Sequence, residues 1–274
     1  MTTLQEYASS RELVVNLTLR ELRSKYKKSV LGWTWSLLNP LSTVVIYTIV
    51  FYGFLKVQAP VGDPSGIQSF VVFLLCALVP WNFISSCLSA TLDALVGNAN
   101  LIKKVYFPRE LLVASTVGSL VVTFIIELSV LCVILLVLGN MVLPWIPLAL
   151  VFVVLLTVML LGWGMVLSVC NVYFRDVKHF VNIALQALFY SAPIVYPETL
   201  VPKTATVAGL EIPVRFIYNL NPIVRFVDAF RSVLYDLRFP TLATTLYVFA
   251  WAIGSLVIGL RVFNRLEPRL AEEV

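Results

Sequence analysis

The sequence predicts an all-α integral membrane protein, and three observations carry that prediction. Hydrophobic residue types make up 59% of the 274 residues and charged ones only 13%, too few charges to clothe a water-soluble surface. Mean hydropathy is +0.91. The apolar residues come in long runs separated by short polar punctuation, and a helix needs about 20 of them to cross the hydrocarbon core. The length accommodates six crossings with short connections, so residues 1–274 are expected to form one transmembrane domain.

The chain opens on a polar segment with six cations between Arg11 and Lys28 and no apolar core of the signal-peptide kind, so no cleaved export signal is expected. Ser9 followed by Glu12 has the spacing of a capping box and predicts a helix over 9–29. Val15, Leu19, Leu22 and Tyr26 recur at helical steps, with Arg20, Arg23 and Lys27 on another face. That pattern suits an amphipathic helix lying at the headgroups. The first crossing is expected from about Trp33 to Lys56, interrupted near Pro40. In it Tyr47, Phe51 and Phe54 stand four and three residues apart and would share a face.

Pro60, Gly62, Pro64 and Gly66 mark a turn. A second span is expected over 69–96, then a polar stretch with Lys103, Lys104 and Arg109, and a third span ended by Gly139-Asn140. Pro144 and Pro147 open a fourth that runs to Tyr173, and a short loop holds Arg175, Asp176 and Lys178. The fifth span, about Phe180 to Tyr196, is short and bounded by prolines. Residues 213–236 show helical periodicity on either side of Asn221-Pro222, each half too short to cross, which predicts two re-entrant or surface helices. The sixth span covers about Pro240 to Val262.

Six crossings put the N-terminal segment, the loops near Gly97 and Phe174 and the C-terminal tail on one side, with fourteen of the 20 Lys and Arg residues. The positive-inside rule therefore places both termini in the cytoplasm. The cations sit at span ends and not along a stripe, so nucleic acid is not an expected partner.

Chemistry of its own is poorly supplied. No Gly-Lys pair exists for a phosphate-binding loop, and His179 is the one histidine. Cys76, Cys87, Cys132 and Cys170 lie in apolar runs with no metal or disulfide spacing. Glu127 is the one carboxylate deep in a span; a proton or cation site is one reading, a hydrogen bond to a neighbouring helix the other. No enzyme activity and no cofactor of its own are the expectation.

Four ordered motifs then carry a resemblance: LRELRSKYKKSVLGWTWSLLNPL at 19–41, NLIKKVYFPREL at 100–111, NVYFRDVKH at 171–179 and YNLNP at 218–222. Together they resemble the permease subunit of ABC-2 type polysaccharide exporters, the group of O-antigen, teichoic acid, capsule and galactan exporters. The resemblance implies a homodimer in the bacterial cytoplasmic membrane, two copies of a separate ATPase that bind ATP and Mg, and a polyprenyl-diphosphate-linked polysaccharide as cargo. It implies that residues 97–110 form a coupling helix docking on the ATPase through Asn98, Leu101, Ile102, Lys103, Lys104, Val105, Tyr106, Phe107 and Arg109. Arg175 and Asp176 would make a second, smaller contact.

The resemblance also makes 9–29 an interface helix and the half-helices of 213–236 elements that narrow the exit. Tyr47, Phe51, Phe54, Phe189, Tyr190 and Tyr196 become candidate passage-lining rings. Arg215, Arg225 and Arg231 become exit-side charges, meeting an anionic headgroup or pairing with Glu211, Asp228 and Asp236. An ABC-2 permease for drugs or small lipids, and a membrane-embedded glycan transferase, are the competing expectations.

Overall fold

The computed structural model describes residues 3–26, 34–54, 56, 59–104, 107–207 and 210–267. Helix dominates: α1 (Thr3–Tyr26), α2 (Trp35–Tyr47, continued by a π-helical Thr48–Phe54), α3 (Phe70–Leu92), α4 (Ala99–Lys104), α5 (Glu110–Val137), α6 (Ile146–Tyr173), α7 (Val177–Ser191), α8 (Val214–Asn219), α9 (Pro222–Arg231, continued by a π-helical Ser232–Asp236) and α10 (Leu242–Leu266). One small departure from all-α is a two-stranded antiparallel hairpin, β1 (Ala205–Val207) and β2 (Leu210–Ile212), with Thr206 opposite Glu211.

Among the described residues four helices are long and apolar enough to cross a membrane: α3, α5, α6 with the turn before it, and α10. The chain is thus a multi-pass membrane protein; the first and fifth of the six expected spans are the ones that fall short of this length among the described residues. In the first apolar stretch the qualifying helix is only Leu41–Phe51. Helix α7 has 15 residues, about 22 Å at 1.5 Å per residue, because Ala192 is extended and Pro193 follows. Helix α2 runs through position 40, and regular α geometry gives way at Thr48. A π turn holds more residues per turn than 3.6 and so breaks the face counted from Tyr47 to Phe54.

Helix α3 is the axis, with Phe70 to Pro80 buried without interruption, and α5, α6, α7 and α9 all pack on it. Helix α9, expected to be re-entrant or to lie at a surface, is inserted among α3, α6 and α10. From Pro222 to Tyr235 only Arg225 and Asp228 escape full burial. Asn221 caps it, its side-chain oxygen accepting from the Ile223 amide at 3.0 Å, and Pro222 takes the first helical position, where no amide is needed. The insertion ends at Leu237, held in the left-handed region at φ 58°.

The N-terminal helix starts at Thr3, well before the expected cap at Ser9. It lies on α5, with Leu17 and Leu22 buried while Val15 and Leu19 are exposed. The packed face is therefore rotated from the one expected, because α5 offers Ser115 and Gly118 to Thr18 and draws that side of the helix inward.

The tightest pair is α6 with α10, where Gly162 faces Gly259 and Ser255 backbone to backbone, and a Cβ at either glycine would overlap the opposite main chain. Small residues allow this approach where no hydrophobic drive separates helix from lipid. Gly162→Val should lower stability by about 3 kcal/mol or more, as overpacking against rigid backbone does. Gly254→Ala, with nothing within 4 Å of the new methyl, should be neutral or slightly stabilising; thermal unfolding in detergent compares the two.

Candidate functional site

The loops and helix ends sort into two groups at opposite ends of the bundle. At the first end, the Asn171 side chain donates to the Leu92 carbonyl at 2.8 Å, and Lys178 pairs with Asp93 at 2.6 Å. Arg20 of α1 donates to the Asn98 side-chain oxygen at 2.7 Å, while the Asn98 amide donates to Ala94 at 2.9 Å. Arg109 donates to the Glu267 carbonyl at 2.5 Å, and Tyr173 to Leu266 at 3.3 Å. The segments assigned to the positive side thus meet one another.

Beneath them lies a separate apolar cluster that includes Leu17, Leu95, Ile102, Leu112, Val169 and Phe263. This alters the reading of 97–110. A 3₁₀ turn (Val96–Asn98) leads into α4, so a helix is present, but Ile102 is buried and Leu101 and Phe107 are packed against that cluster. The apolar side chains anchor the segment; they are not offered outward. What α4 presents is Lys103 and Lys104, both exposed, with Arg175 and Asp176 exposed on the neighbouring loop. Val105 and Tyr106 lie outside the described residues.

The six aromatic candidates do not form one wall. Tyr47 and Phe51 meet with tilted rings at 5.7 Å, and Phe51 meets Phe70 at 4.8 Å; Phe54 is 79% exposed. Phe189 packs on Trp81 at 5.7 Å and edge-on to Tyr190 at 5.2 Å. Tyr196 is half-buried, its hydroxyl donating to the Tyr190 carbonyl at 3.0 Å. Phe70 and Trp81 are eleven residues apart on α3, about 16 Å along its axis, so the two groups occupy different levels. The open face belongs to α7. Phe180, Ile183 and Tyr190 are 66 to 74% exposed, interleaved with exposed Asn182, Gln186 and Ser191.

At the second end the three arginines bond main-chain carbonyls, and none forms an ion pair among the described residues. Arg215 donates to Glu198 at 3.1 Å and Arg225 to Asn219 at 3.2 Å. Arg231 is not on an exit surface: it is 8% exposed, donating to Phe73 at 3.3 Å and Ile194 at 2.8 Å, with its guanidinium 3.7 Å from the Phe73 ring centre. Burial pulls its pKa down to about 10, which leaves it a cation at neutral pH.

Sequence reasoning missed two residues here. Asn140 donates to the Leu234 and Tyr235 carbonyls at 3.1 and 3.4 Å, and the Tyr235 hydroxyl donates to Pro60 and Ile67 at 2.7 and 3.1 Å. A lone amide after a long apolar run was the available signal for Asn140. Replacing Arg231 with Leu should cost about 2–4 kcal/mol, since a buried carbonyl loses its donor. Lys103→Ala, on the surface, should stay within about 0.5 kcal/mol; calorimetric unfolding of the purified variants checks both.

Comparison with known proteins places this architecture. The family model described as ABC-2 type transporter matches residues 12–235. An O-antigen export system permease protein of Klebsiella pneumoniae is 30% identical over 265 residues, covering 95% of this chain and 94% of the relative. Its namesake from Myxococcus xanthus is 27% identical over 260 residues, 92% and 94% of the two chains. A polysialic acid transport protein of Escherichia coli is 24% identical over 267 residues, 93% of each. With a matching model over most of its length and a near full-length relative at 30% identity, the chain belongs to the ABC-2 type transporter family.

Proposed function

We propose that this chain is the permease of an exporter that moves a polyprenyl-linked polysaccharide across the bacterial cytoplasmic membrane, driven by a separate ATPase. Two copies enclose the passage, two ATPase subunits bind ATP and Mg, and both termini lie in the cytoplasm. The observation that carries this reading is the α7 face. Its exposed Asn182 and Gln186 are costly against hydrocarbon and its exposed Phe180, Ile183 and Tyr190 are costly against water. A second copy of the chain and a hydrated glycan together suit such a face. Hydroxyls meet the amides, sugar faces meet the rings, and no group binds strongly enough to stall a moving chain.

The topology follows. Helix α2 with its π continuation and α7 complete six crossings, a reading supported by the meeting of Leu92, Asp93 and Arg109 with Asn171, Lys178 and Glu267 at one end. The domain is one unit, with α1 as the interface helix. The segment 97–110 couples to the ATPase through the exposed Lys103 and Lys104, while Ile102, Leu101 and Phe107 bind it to α5, α6 and α10 so that a push is transmitted to the bundle. Asn98 fixes it to α1 through Arg20, and Arg109 fixes it to the end of α10. Arg175 and Asp176 supply a lesser contact beside it.

Depleting the chain in its host should accumulate polyprenyl-linked glycan on the cytoplasmic side. Loss of drug or small-lipid efflux without such accumulation would reject the reading. Lys103→Glu with Lys104→Glu should leave the permease folded yet reduce its stimulation of the ATPase and its export at least ten-fold, since reversing charges at a contact adds repulsion. Unchanged export in that variant rejects the coupling assignment.

A further inference from the structure

We propose that the apolar cavity between α2, the start of α3 and the end of α5 is a site for one acyl chain of a bilayer phospholipid. It is separate from the α7 face and does not depend on the export reading. The cavity has a volume of about 680 Å³, more than four times the roughly 150 Å³ that lodges a benzene ring. Val44 and Thr48 of α2 form one wall, the first turn of α3 a second, and Val133 and Val137 near the end of α5 a third.

The walls call for hydrocarbon and not for water. Of the polar side chains lining the cavity, the Thr48 hydroxyl donates to the Val44 carbonyl at 2.7 Å and the Gln68 amide to the Ala59 carbonyl at 3.3 Å. Ser69, the third, stands at the start of α3, so what polarity remains is gathered at that one end. A water needs two or more polar partners, and most of this space offers none. Leaving an apolar space empty costs in proportion to its volume.

The mouth faces the bilayer. Val133 and Val137 line the cavity and are also 59 and 81% exposed, and both belong to a helix long and apolar enough to cross. Val45, Ile46 and Ile49 of α2 are more than half exposed as well, so both helices that bound the cavity present apolar surface outward. The liquid at such a mouth is acyl chain. Among the described residues no charged side chain lines the cavity, so nothing in it selects the diphosphate of a carrier lipid over the phospholipids around it.

The occupant completes packing that α2 lacks. Regular α geometry gives way at Thr48, on the cavity wall, and a side chain at Gly53 would meet nothing within 4 Å. An acyl chain supports this helix against α3 and α5 where protein atoms do not, which makes bilayer lipid a structural ligand of the first apolar stretch.

The test uses the full-length chain in nanodiscs of phosphatidylglycerol that include the same lipid with a diazirine on its acyl chain. Transfer to detergent strips exchanging lipid, and illumination then fixes what is retained. Adducts mapped by mass spectrometry should fall on 44–48, 70–72 and 133–138 about ten-fold or more above the exposed α10 residues Phe249 and Ile253, because each buried methylene strengthens retention. Val44→Trp, which fills part of the space, should remove most of these adducts with elution volume unchanged; Val133→Trp, at the exposed mouth, repeats the test should the first variant misfold. A polyprenyl diphosphate bearing a diazirine should label the same positions about ten-fold less. Labelling spread evenly over α5 and α10, equal labelling by the polyprenyl probe, cross-links to a second copy of the chain at these positions, or full retention in a folded filled variant overturns the site.

Discussion

Broken backbone buried in an apolar protein must find its hydrogen bonds inside the protein, and this fold depends on meeting that demand at α9. Where water does not reach, an orphaned carbonyl costs several kcal/mol. The chain answers with three side chains from distant positions. Arg231 reaches the Phe73 and Ile194 carbonyls, Asn140 the carbonyls of Leu234 and Tyr235, and Tyr235 those of Pro60 and Ile67. These bonds tie the loop before α3, the turn after α5 and the end of α7 to the inserted helix. Around them pack Phe124, Phe152, Phe226 and Phe230, all fully buried.

The opposite end is built on another principle. Among the described residues no helix is inserted there. Short polar bonds between helix ends, Lys178 to Asp93, Arg20 to Asn98 and Asn171 to Leu92, sit above a small apolar cluster. The exposed Lys178–Asp93 pair contributes under about 1 kcal/mol, while the Asn171–Leu92 bond is buried.

Much of this was legible in the sequence. The long apolar runs gave α3, α5, α6 and α10 within a few residues, Gly139-Asn140 ended α5, and Asn221-Pro222 announced α9 because capping and proline chemistry are local. The charge count also grouped the segments that meet at one end of the bundle, since cations at span ends respond to one field. What local pattern could not supply was partnership. Ile102, Leu101 and Phe107 look like a presented apolar face until α5, α6 and α10 are seen to cover them. Val15 and Leu19 share an apolar stripe with Leu22, yet a small-residue groove on α5 chose Leu17 instead. Tyr47, Phe51 and Phe54 keep helical spacing on paper, and the π turn at Thr48 parts them. Arg231 read as an exit charge because sequence shows a cation's position along the chain and not its depth.

The central claim is that the end carrying α4 faces the cytoplasm and receives force from another subunit. A photo-crosslinking amino acid at position 104, in membranes of the native host, measures this directly. The account predicts one dominant adduct, to an ATPase subunit, changing in yield when ATP is added. Adducts to proteins of the outer face, or quenching of the probe by a membrane-impermeant reagent added to intact cells, would contradict it.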